Sequence, residues 1–516
     1  MKKNEIRLIV IGIALLLSAA ILSGDLQSQS AADSITEAEI RDHIYYLASD
    51  ALLGRDTGDI GYEIAVQYAA SQLLAAGVRP LIPDENGAPG YRQLLAMTKL
   101  SFGPENAASL SVGGDSSSLE FGTDYFFVSN STGQRQEVSG PLVFAGYGIE
   151  NPDRDWNDLE GLNVSGSIPI VMFGLPSEEI TSAFAGQNPG NQWTSFQERI
   201  GALEARGAVA IVAVLDPRSM NNWNRTASSF TRDRLSVGRE APRSRLPNAK
   251  VPVIFLSPQI LGDLFSNRDF DPVTLEGSYS TFSLDEASLI LVAQTLQEAL
   301  DVPNLVGMVE GSDPILKNEF VVMGAHLDHL GIRDGEVYNG ADDNASGSVG
   351  VLEVAEAIAM APPKRSMLFV LFTGEERGLL GSRYFVENSP VPLDKIVAFV
   401  NIEMIGRWSH RPMGSGQIFA IIGNSENGTL RETLTRVNEA GFGYELDAPE
   451  KFFGGSDHSA FHNVGIPNIT IAGSPPYGTH EDYHRPGDDA DKIDIPAMRK
   501  AATLIYQLAL ELANRI

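Results

Sequence analysis

The chain has 516 residues, of which 43% are hydrophobic, enough for two or three globular domains. It carries 38 Lys and Arg residues against 66 Asp and Glu residues, a formal net charge of −28, so we expect neither nucleic acid nor an anionic membrane surface as a partner. It contains no Cys, which excludes disulfides, thiolate metal ligands and a cysteine nucleophile.

Residues 1–30 have the pattern of a secretory signal peptide. Lys2, Lys3 and Arg7 precede an apolar run over 8–22, and small residues follow that run. The run is short for a membrane span. The pattern therefore predicts export to the periplasm or the extracellular space, with cleavage near Ser30. An uncleaved N-terminal anchor, the one route to a stable membrane partner, is the alternative.

The next two regions differ in their hydrophobic patterns. Residues 36–80 carry apolar residues at helical spacing on both sides of a turn, GRDTGDIG. From 129 to 283, short apolar strands alternate with turns and one helix, which predicts a compact α/β insert.

From 286 to 516, strongly apolar strands alternate with helices. Near-continuous runs of Val, Ile, Phe and Leu are typical of strands that are buried on both faces. The fold class is therefore predicted as α/β, with a mostly parallel central sheet and helices on both faces. Functional sites in such sheets form where the strands end at their carboxyl termini.

Polar residues follow these strands. His326 and Asp328 come after the first strand, Glu375 and Glu376 after the second, and Glu403 after the third. Each has a structural alternative, such as a core histidine or a helix-starting acid. Together, several acids at one sheet edge would repel one another without a cation between them.

Two adjacent aspartates, Asp342 and Asp343, begin a predicted helix, and His484 lies downstream. Helix capping explains one carboxylate more easily than two. Imidazole and carboxylate without thiolate suit zinc or another borderline divalent ion. The sequence therefore predicts a metal centre with enough ligands for two ions that share a bridging carboxylate.

Six motifs occur in this order along the chain: GAHLDHLG, NGADDNASG, FTGEERGLLGSRYF, NIEMIGR, GGSDHSAF and YHRPGDDADKID. Together they resemble the secreted co-catalytic di-zinc aminopeptidase family, which also includes glutamate carboxypeptidases and the transferrin receptors. The resemblance implies a zinc-peptidase-like domain formed by 34–128 and 286–516. It also implies that the insert at 129–283 is a smaller α/β domain of the protease-associated type.

The resemblance implies two Zn²⁺ per chain and a role for each ligand position. Asp342 would bridge the two ions. His326 and Glu403 would complete the coordination of one ion, and Glu376 and His484 that of the other.

The resemblance also implies the roles of residues that do not bind the metals. Glu375 would be the general base, which takes a proton from a metal-bridging water and returns it to the leaving amine. Asp328 would orient His326. Tyr483 would stabilise the oxyanion, and a cis peptide is expected between Asp342 and Asp343.

The function that this resemblance implies is a zinc-dependent exopeptidase, first of all an aminopeptidase that hydrolyses N-terminal residues from peptides. Glu403 stands where many family members have Asp, which keeps a carboxypeptidase or dipeptidase of the same family as the alternative. A glutaminyl cyclase or a non-catalytic binding protein is less favoured, because every ligand position and the base position hold suitable residues.

Overall fold

The computed structural model describes most of the chain outside its N-terminal segment. The described residues are 29–128, 135–176, 192–242, 246, 249–277, 279–407, 417–424, 428–449, 454–473 and 480–515. The predicted signal peptide lies almost entirely outside them, so it stays a prediction. Within the described residues, no helix combines the length and the apolar character needed to cross a membrane.

The chain divides into two compact units. Unit 1 is formed by Met1–Ala96 together with Asp301–Ile516, and unit 2 by Met97–Leu300. Unit 2 therefore interrupts unit 1 in sequence.

The strands up to β8 are β1 (Arg79–Pro80), β2 (Ile82–Pro83), β3 (Pro89–Gly90), β4 (Arg92–Phe102), β5 (Ala107–Val112), β6 (Asp115–Leu119), β7 (Tyr125–Val128) and β8 (Arg135–Phe144). The next are β9 (Glu150–Asn151), β10 (Trp156–Asn157), β11 (Ile168–Met172), β12 (Ile211–Val214), β13 (Arg234–Val237), β14 (Val253–Leu256), β15 (Phe270–Asp271), β16 (Glu276–Gly277) and β17 (Phe282–Val309). The last are β18 (Phe320–His326), β19 (Gly331–Arg333), β20 (Glu336–Tyr338), β21 (Ser366–Phe372), β22 (Ile396–Glu403), β23 (Gln417–Gly423), β24 (Glu445–Asp447) and β25 (Asn468–Ala472).

The α-helices are α1 (Glu37–Leu47), α2 (Ile60–Ala75), α3 (Gln192–Ala205), α4 (Pro217–Asn221), α5 (Trp223–Thr231), α6 (Pro258–Phe265), α7 (Gly347–Met360), α8 (Leu380–Glu387), α9 (Thr429–Gly441), α10 (His458–Asn463) and α11 (Ile495–Asn514). Short 3₁₀ turns span Asp50–Arg55, Pro152–Arg154, Leu316–Asn318, Leu393–Lys395 and Ala490–Lys492, and a π-helical turn at Ala341–Ser346 leads into α7.

Unit 1 is built on a sheet whose centre is parallel. Strands β21, β18, β22 and β25 are neighbours in that order and run in the same direction. Antiparallel strands flank them, β17 beside β21 and β23 beside β25. Every residue of β21 is buried, as expected for a central strand covered on both faces. The prediction of an α/β fold with a mostly parallel central sheet is confirmed.

Helices cover this sheet through two sets of contacts. Phe385 of α8 and Phe461 of α10 pack on the sheet residues Phe372 and Phe399, and the rings of Phe399 and Phe461 stack with centroids 3.7 Å apart. Helices α7 and α11 pack on each other and on β18.

Unit 2 has its own mixed sheet and core. Strands β8, β11, β12 and β14 are parallel neighbours, while β7 and β17 join antiparallel at the two ends. The boundaries differ from the predicted 129–283 because β5 pairs with β17 and β7 pairs with β14, which places 97–128 in this unit. The N-terminal segment of unit 1 thus ends at Ala96 rather than at 128. The assignment of unit 2 as a protease-associated domain stays a prediction.

Candidate metal centre

The parallel strands of unit 1 deliver polar side chains to one edge of the sheet. His326 is the last residue of β18, and Glu403 is the last residue of β22. Glu375 and Glu376 follow the end of β21 after a two-residue turn. Because these strands run in the same direction, their carboxyl ends lie at the same edge.

A first cluster joins His326, Asp343 and Glu403, whose ligand atoms lie within 4.8 Å of one another. His326 Nε2 lies 3.2 Å from Glu403 Oε1 and 3.4 Å from Asp343 Oδ1. Ser456 fixes the other oxygen of Glu403 by donating a hydrogen bond of 2.6 Å to Oε2.

A second cluster joins His329, Asp343 and Glu376, again with ligand atoms within 4.8 Å of one another. His329 Nδ1 lies 2.9 Å from Glu376 Oε1. His484 Nε2 reaches both acids, at 3.0 Å from Asp343 Oδ2 and 3.3 Å from Glu376 Oε1. The two oxygens of Asp343 therefore face different clusters, which is the arrangement of a bridging carboxylate.

The prediction that Asp342 bridges the clusters is wrong. Its Oδ1 accepts hydrogen bonds from the backbone N–H of Gly406 at 2.7 Å and from Ser346 Oγ at 3.2 Å, and its Oδ2 lies 3.4 Å from His480 Nε2. The π-helical turn directs the carboxylate of Asp342 away from the histidines of both clusters and that of Asp343 between them. The cis peptide lies between Asp343 and Asn344 rather than between Asp342 and Asp343.

Asp328 lies beside His326, as the prediction requires, and contacts the ring through its main chain. His326 Nδ1 is hydrogen-bonded to the backbone carbonyl of Asp328 at 3.0 Å, whereas the nearest carboxylate oxygen is 3.9 Å away. That carboxylate accepts hydrogen bonds from the backbone N–H groups of Glu375 and Glu376, at 3.1 and 3.3 Å. Asp328 thus orients His326 through its main chain and holds the Glu375–Glu376 turn through its side chain.

The charges in the two clusters are strongly coupled. Burial acts to raise the pKa of Asp343, yet contact with His326 and His484 holds it well below its ordinary value. Burial also opposes the shift of Glu376, whose pKa the neighbouring histidines His329 and His484 bring to about 2. The pKa of His484 rises to about 10 against the effect of burial, because Asp343 and Glu376 stabilise its cation. The raised pKa of His484 and the lowered pKa values of Asp343 and Glu376 thus reflect a concentration of negative charge that a bound cation would balance.

The buried atoms of this site are well suited to a metal ion. Within the described chain, Asp343 Oδ2, Glu376 Oε1 and both ring nitrogens of His329 are buried without a hydrogen-bond partner, although N and O atoms approach within 2.9–4.0 Å. Buried polar atoms are normally hydrogen-bonded. Atoms that converge on a shared point without bonding one another are expected of ligands around a cation.

A cavity of about 320 Å³ opens beside the clusters. Its polar lining includes Glu375, and its apolar lining is formed by Leu379, Met404, Phe419, Ile421 and Ala472. Tyr483 also lines it and stacks on His484, with ring centroids 4.0 Å apart. Burial raises the pKa of Tyr483, so its phenol remains a hydrogen-bond donor.

The structure brings together His326, Glu376, Glu403 and His484, all predicted as ligands. Sequence reasoning missed the placement of His329 and His480 at the site. His329 had a usable signal, because it follows His326 by three residues after the same strand. His480 had none, since only its contact with Asp342 gives it a place.

The second segment of unit 1 is similar to known proteins. Residues 304–509 match the sequence profile of Peptidase family M28. The chain is 33% identical over 193 residues to Leupeptin-inactivating enzyme 1 of Streptomyces exfoliatus. This match covers 37% of this chain and 40% of that protein. It is 26% identical over 297 residues to Aminopeptidase YwaD of Bacillus subtilis (strain 168). This match covers 55% of this chain and 62% of that protein. The matched segments thus span less than two thirds of these relatives.

Solved structures show the same fold at low sequence identity. The aminopeptidase from Aneurinibacillus sp. strain AM-1 superposes with a TM-score of 0.56 and 17% identity, covering 94% of this chain and 96% of that one. BSAP, a zinc aminopeptidase from Bacillus subtilis, superposes with a TM-score of 0.53 and 18% identity, covering 93% and 96%.

Proposed function

We propose that the chain is a zinc-dependent aminopeptidase that removes N-terminal residues from peptides, because residues 304–509 match the profile of Peptidase family M28. A curated relative is named an aminopeptidase, and a structural neighbour is described as a zinc aminopeptidase. The ligand chemistry supports zinc, because the two clusters offer imidazole and carboxylate, and the chain has no thiolate to offer.

The proposal includes two zinc ions per chain. His326, Asp343 and Glu403 would hold one, and Asp343, Glu376 and His484, with His329 beside them, would hold the other. Bound there, zinc would polarise the peptide carbonyl and lower the pKa of a water molecule.

The position of Glu375 supports a role in proton transfer. Among the described residues it belongs to neither ligand cluster, yet it lines the cavity directly beside Glu376. The hydrogen bond from its backbone N–H to Asp328 fixes the turn that carries it. Its carboxylate would take the proton from the attacking water and give it to the leaving amine. Tyr483 would donate a hydrogen bond to the oxyanion.

The observation that carries the choice of an aminopeptidase is the charge of the cavity lining. Its ionisable residues are acids, histidines and one tyrosine, and no Arg or Lys lines it in the described part of the chain. Two arginines close in sequence to site residues pair with acids instead, Arg377 with Asp56 and Arg407 with Asp482. The described lining therefore offers no cationic side chain to pair with a free substrate carboxylate, which favours substrates recognised by a free α-amino group.

The apolar lining indicates which peptides are preferred. Phe419, Ile421 and Ala472 form a small apolar cluster on the cavity wall. Such a wall binds an apolar N-terminal side chain through the area that it removes from water.

We also propose export to the periplasm or the extracellular space, which rests on the pattern of residues 1–30 alone.

The test is a panel of aminoacyl anilides and dipeptides, each in free and N-acetylated form, with metal content measured on the same sample. Free substrates with an apolar first residue should be cleaved, and acetylation should abolish cleavage. Glu375→Gln should lower turnover at least about a hundredfold while the metal stays bound, whereas the matched Glu376→Gln should lose metal. Cleavage of N-acetylated dipeptides alone would contradict the proposal and indicate a carboxypeptidase.

A further inference from the structure

We propose that three consecutive residues, Arg55, Asp56 and Thr57, are positioning residues that set the geometry of the candidate metal centre. They lie in the turn GRDTGDIG between α1 and α2, far in sequence from every predicted ligand. The inference rests on the proposed two-metal function and adds to it a determinant outside the ligand-bearing loops.

Arg55 holds two ligand-bearing loops with one guanidinium group. Its side chain is buried, and Nε donates to the carbonyl of Leu327 at 2.9 Å, directly after His326. Nη1 and Nη2 donate to the carbonyls of Asn339 and Gly340, at 2.7 and 3.0 Å, just ahead of the two aspartates. A further hydrogen bond from Nη1 to the carbonyl of Leu47 ties the group to the end of α1.

The backbone ahead of Arg55 is shaped for this close approach. Gly54 has a φ of +71°, and a Cβ atom there would lie 2.5 Å from the carbonyl oxygen of Tyr338 and 2.6 Å from that of Gly331. Only glycine fits both the left-handed conformation and the space. The chain at Gly54 therefore lies directly against β19 and β20, and Arg55 follows at the next position.

Thr57 contacts Asp328, which in turn contacts the backbone of Glu375 and Glu376. Its hydroxyl donates a hydrogen bond of 3.0 Å to Asp328 Oδ2. The same carboxylate accepts the backbone N–H groups of Glu375 and Glu376. Thr57 therefore fixes the acceptor that orients the proposed base and the neighbouring proposed ligand.

Asp56 contacts the same turn through Arg377. Its carboxylate forms a two-pronged ion pair with Arg377, with Oδ1 2.9 Å from Nε, and Arg377 directly follows Glu376. The two side chains are only 13% and 6% exposed, so solvent screens this pair weakly.

Between them, the three residues contact three segments that carry proposed ligands: the one after β18, the one ahead of α7 and the one after β21. A packing role alone does not require that pattern. Outer contacts of this kind fix the orientation of metal ligands, and their removal typically costs about 10- to 100-fold in metal affinity or activity. Arg55 also places a positive charge among Asp328, Asp343, Glu376 and Asp488.

The experiment compares Thr57→Val with Thr57→Ser in the full chain. Valine keeps the shape of threonine but cannot donate to Asp328, whereas serine keeps the hydroxyl. Three quantities are measured: zinc affinity by competition with a chromophoric chelator, the visible spectrum after cobalt(II) substitution, and the melting temperature of the metal-free protein. Arg92→Met serves as the control, because it removes the Arg92–Glu63 ion pair in the same N-terminal segment without touching a ligand loop.

Thr57→Val should lower zinc affinity about tenfold or more and change the cobalt spectrum, while the metal-free protein melts within about 2 °C of wild type. Thr57→Ser and Arg92→Met should keep the wild-type affinity and spectrum. Asp56→Asn should weaken zinc binding in the same direction. Wild-type affinity and spectrum in Thr57→Val would overturn the inference. Failure of the unaltered protein to bind zinc would instead overturn the proposed function.

Discussion

Asp342 and Asp343 are chemically identical neighbours whose carboxylates do different work. Asp343 presents one oxygen to His326 and the other to His484. Asp342 accepts the backbone N–H of Gly406, just beyond Glu403, and lies beside His480 in the segment that leads to His484. One acid is therefore placed to bind cations, and the other braces the loops that bring further ligands.

Separate substitution of the two aspartates tests this division. Asp343→Asn removes the charge shared by both clusters, so we expect the zinc content to fall by at least half. Asp342→Asn keeps an oxygen able to accept the Gly406 N–H, so its zinc content should stay near the wild-type value. Atomic absorption after exhaustive dialysis measures both variants. Equal loss of zinc from the two proteins would show that the assignment is wrong.

Much of the site could be predicted from which side chains follow buried strands. That reasoning found His326, Glu375, Glu376 and Glu403, because each lies at or just after the carboxyl end of a parallel strand. It could not choose between Asp342 and Asp343, since the path of one π-helical turn decides which carboxylate points inwards.

Site residues that lie far in sequence from the ligands could not be found in this way. Arg55 contributes through hydrogen bonds to backbone carbonyls, which any residue can provide. No sequence pattern near those acceptors could have indicated it.

Helix α1 docks on α7 through a buried polar contact. His43 Nδ1 lies 2.7 Å from the hydroxyl of Tyr68, and His43 Nε2 lies 3.6 Å from Glu353 Oε1. Glu353 is 4% exposed and lies on α7, the helix that follows Asp343 in sequence. Burial raises its pKa to about 8, and the acids Glu39 and Glu356 add to the shift.

This contact predicts a pH dependence of stability. The folded-state pKa of Glu353 exceeds its ordinary value of 4.5, so the folded chain binds more protons between these two values and loses stability as the pH rises from about 4.5 to about 8. Glu353→Gln is neutral throughout. Its melting temperature relative to wild type should therefore be higher by a few degrees at about pH 9 than at about pH 6.

The groups facing Glu353 that also titrate are His43, Glu39, Glu356 and Tyr68, and all remain in the variant. Glu356→Gln, at a less buried position of the same helix, is the matched control and should show a smaller pH dependence. A difference between Glu353→Gln and wild type that does not change with pH would contradict the prediction.

At the level of elements, the central strands were predictable and the edges of the units were not. β18, β21 and β22 are almost continuously buried, so their apolar runs are distinctive. β5 and β6 have more exposed residues, and only their pairing with each other and with β17 assigns them to unit 2.

At the scale of the whole molecule, the candidate metal centre lies in only one of the two units. Every residue of the two clusters lies in unit 1, whereas three of the four Trp residues, Trp156, Trp193 and Trp223, belong by sequence to unit 2. A ligand at 100 times its dissociation constant stabilises the unit that binds it by about 2.7 kcal/mol. Removal of zinc should therefore destabilise unit 1 selectively.

Two optical signals distinguish the units. In a Trp408→Phe background, fluorescence follows unit 2 alone, and far-ultraviolet circular dichroism follows both units. Chelation should lower the melting temperature of a circular dichroism component and leave the fluorescence transition in place. Equal shifts of the two signals would show that the units unfold together.

The interruption of unit 1 by unit 2 also sets an order of events during synthesis. Arg55 leaves the ribosome 272 residues before its acceptor Leu327. At about 5–20 residues per second this interval lasts roughly 14–54 s, and domains generally fold as units while the chain emerges. Unit 2 is complete within that time, whereas the cavity of unit 1 still lacks every ligand. The proposed peptide-hydrolysing centre is complete only after its last loops have emerged, so it cannot act on its own growing chain.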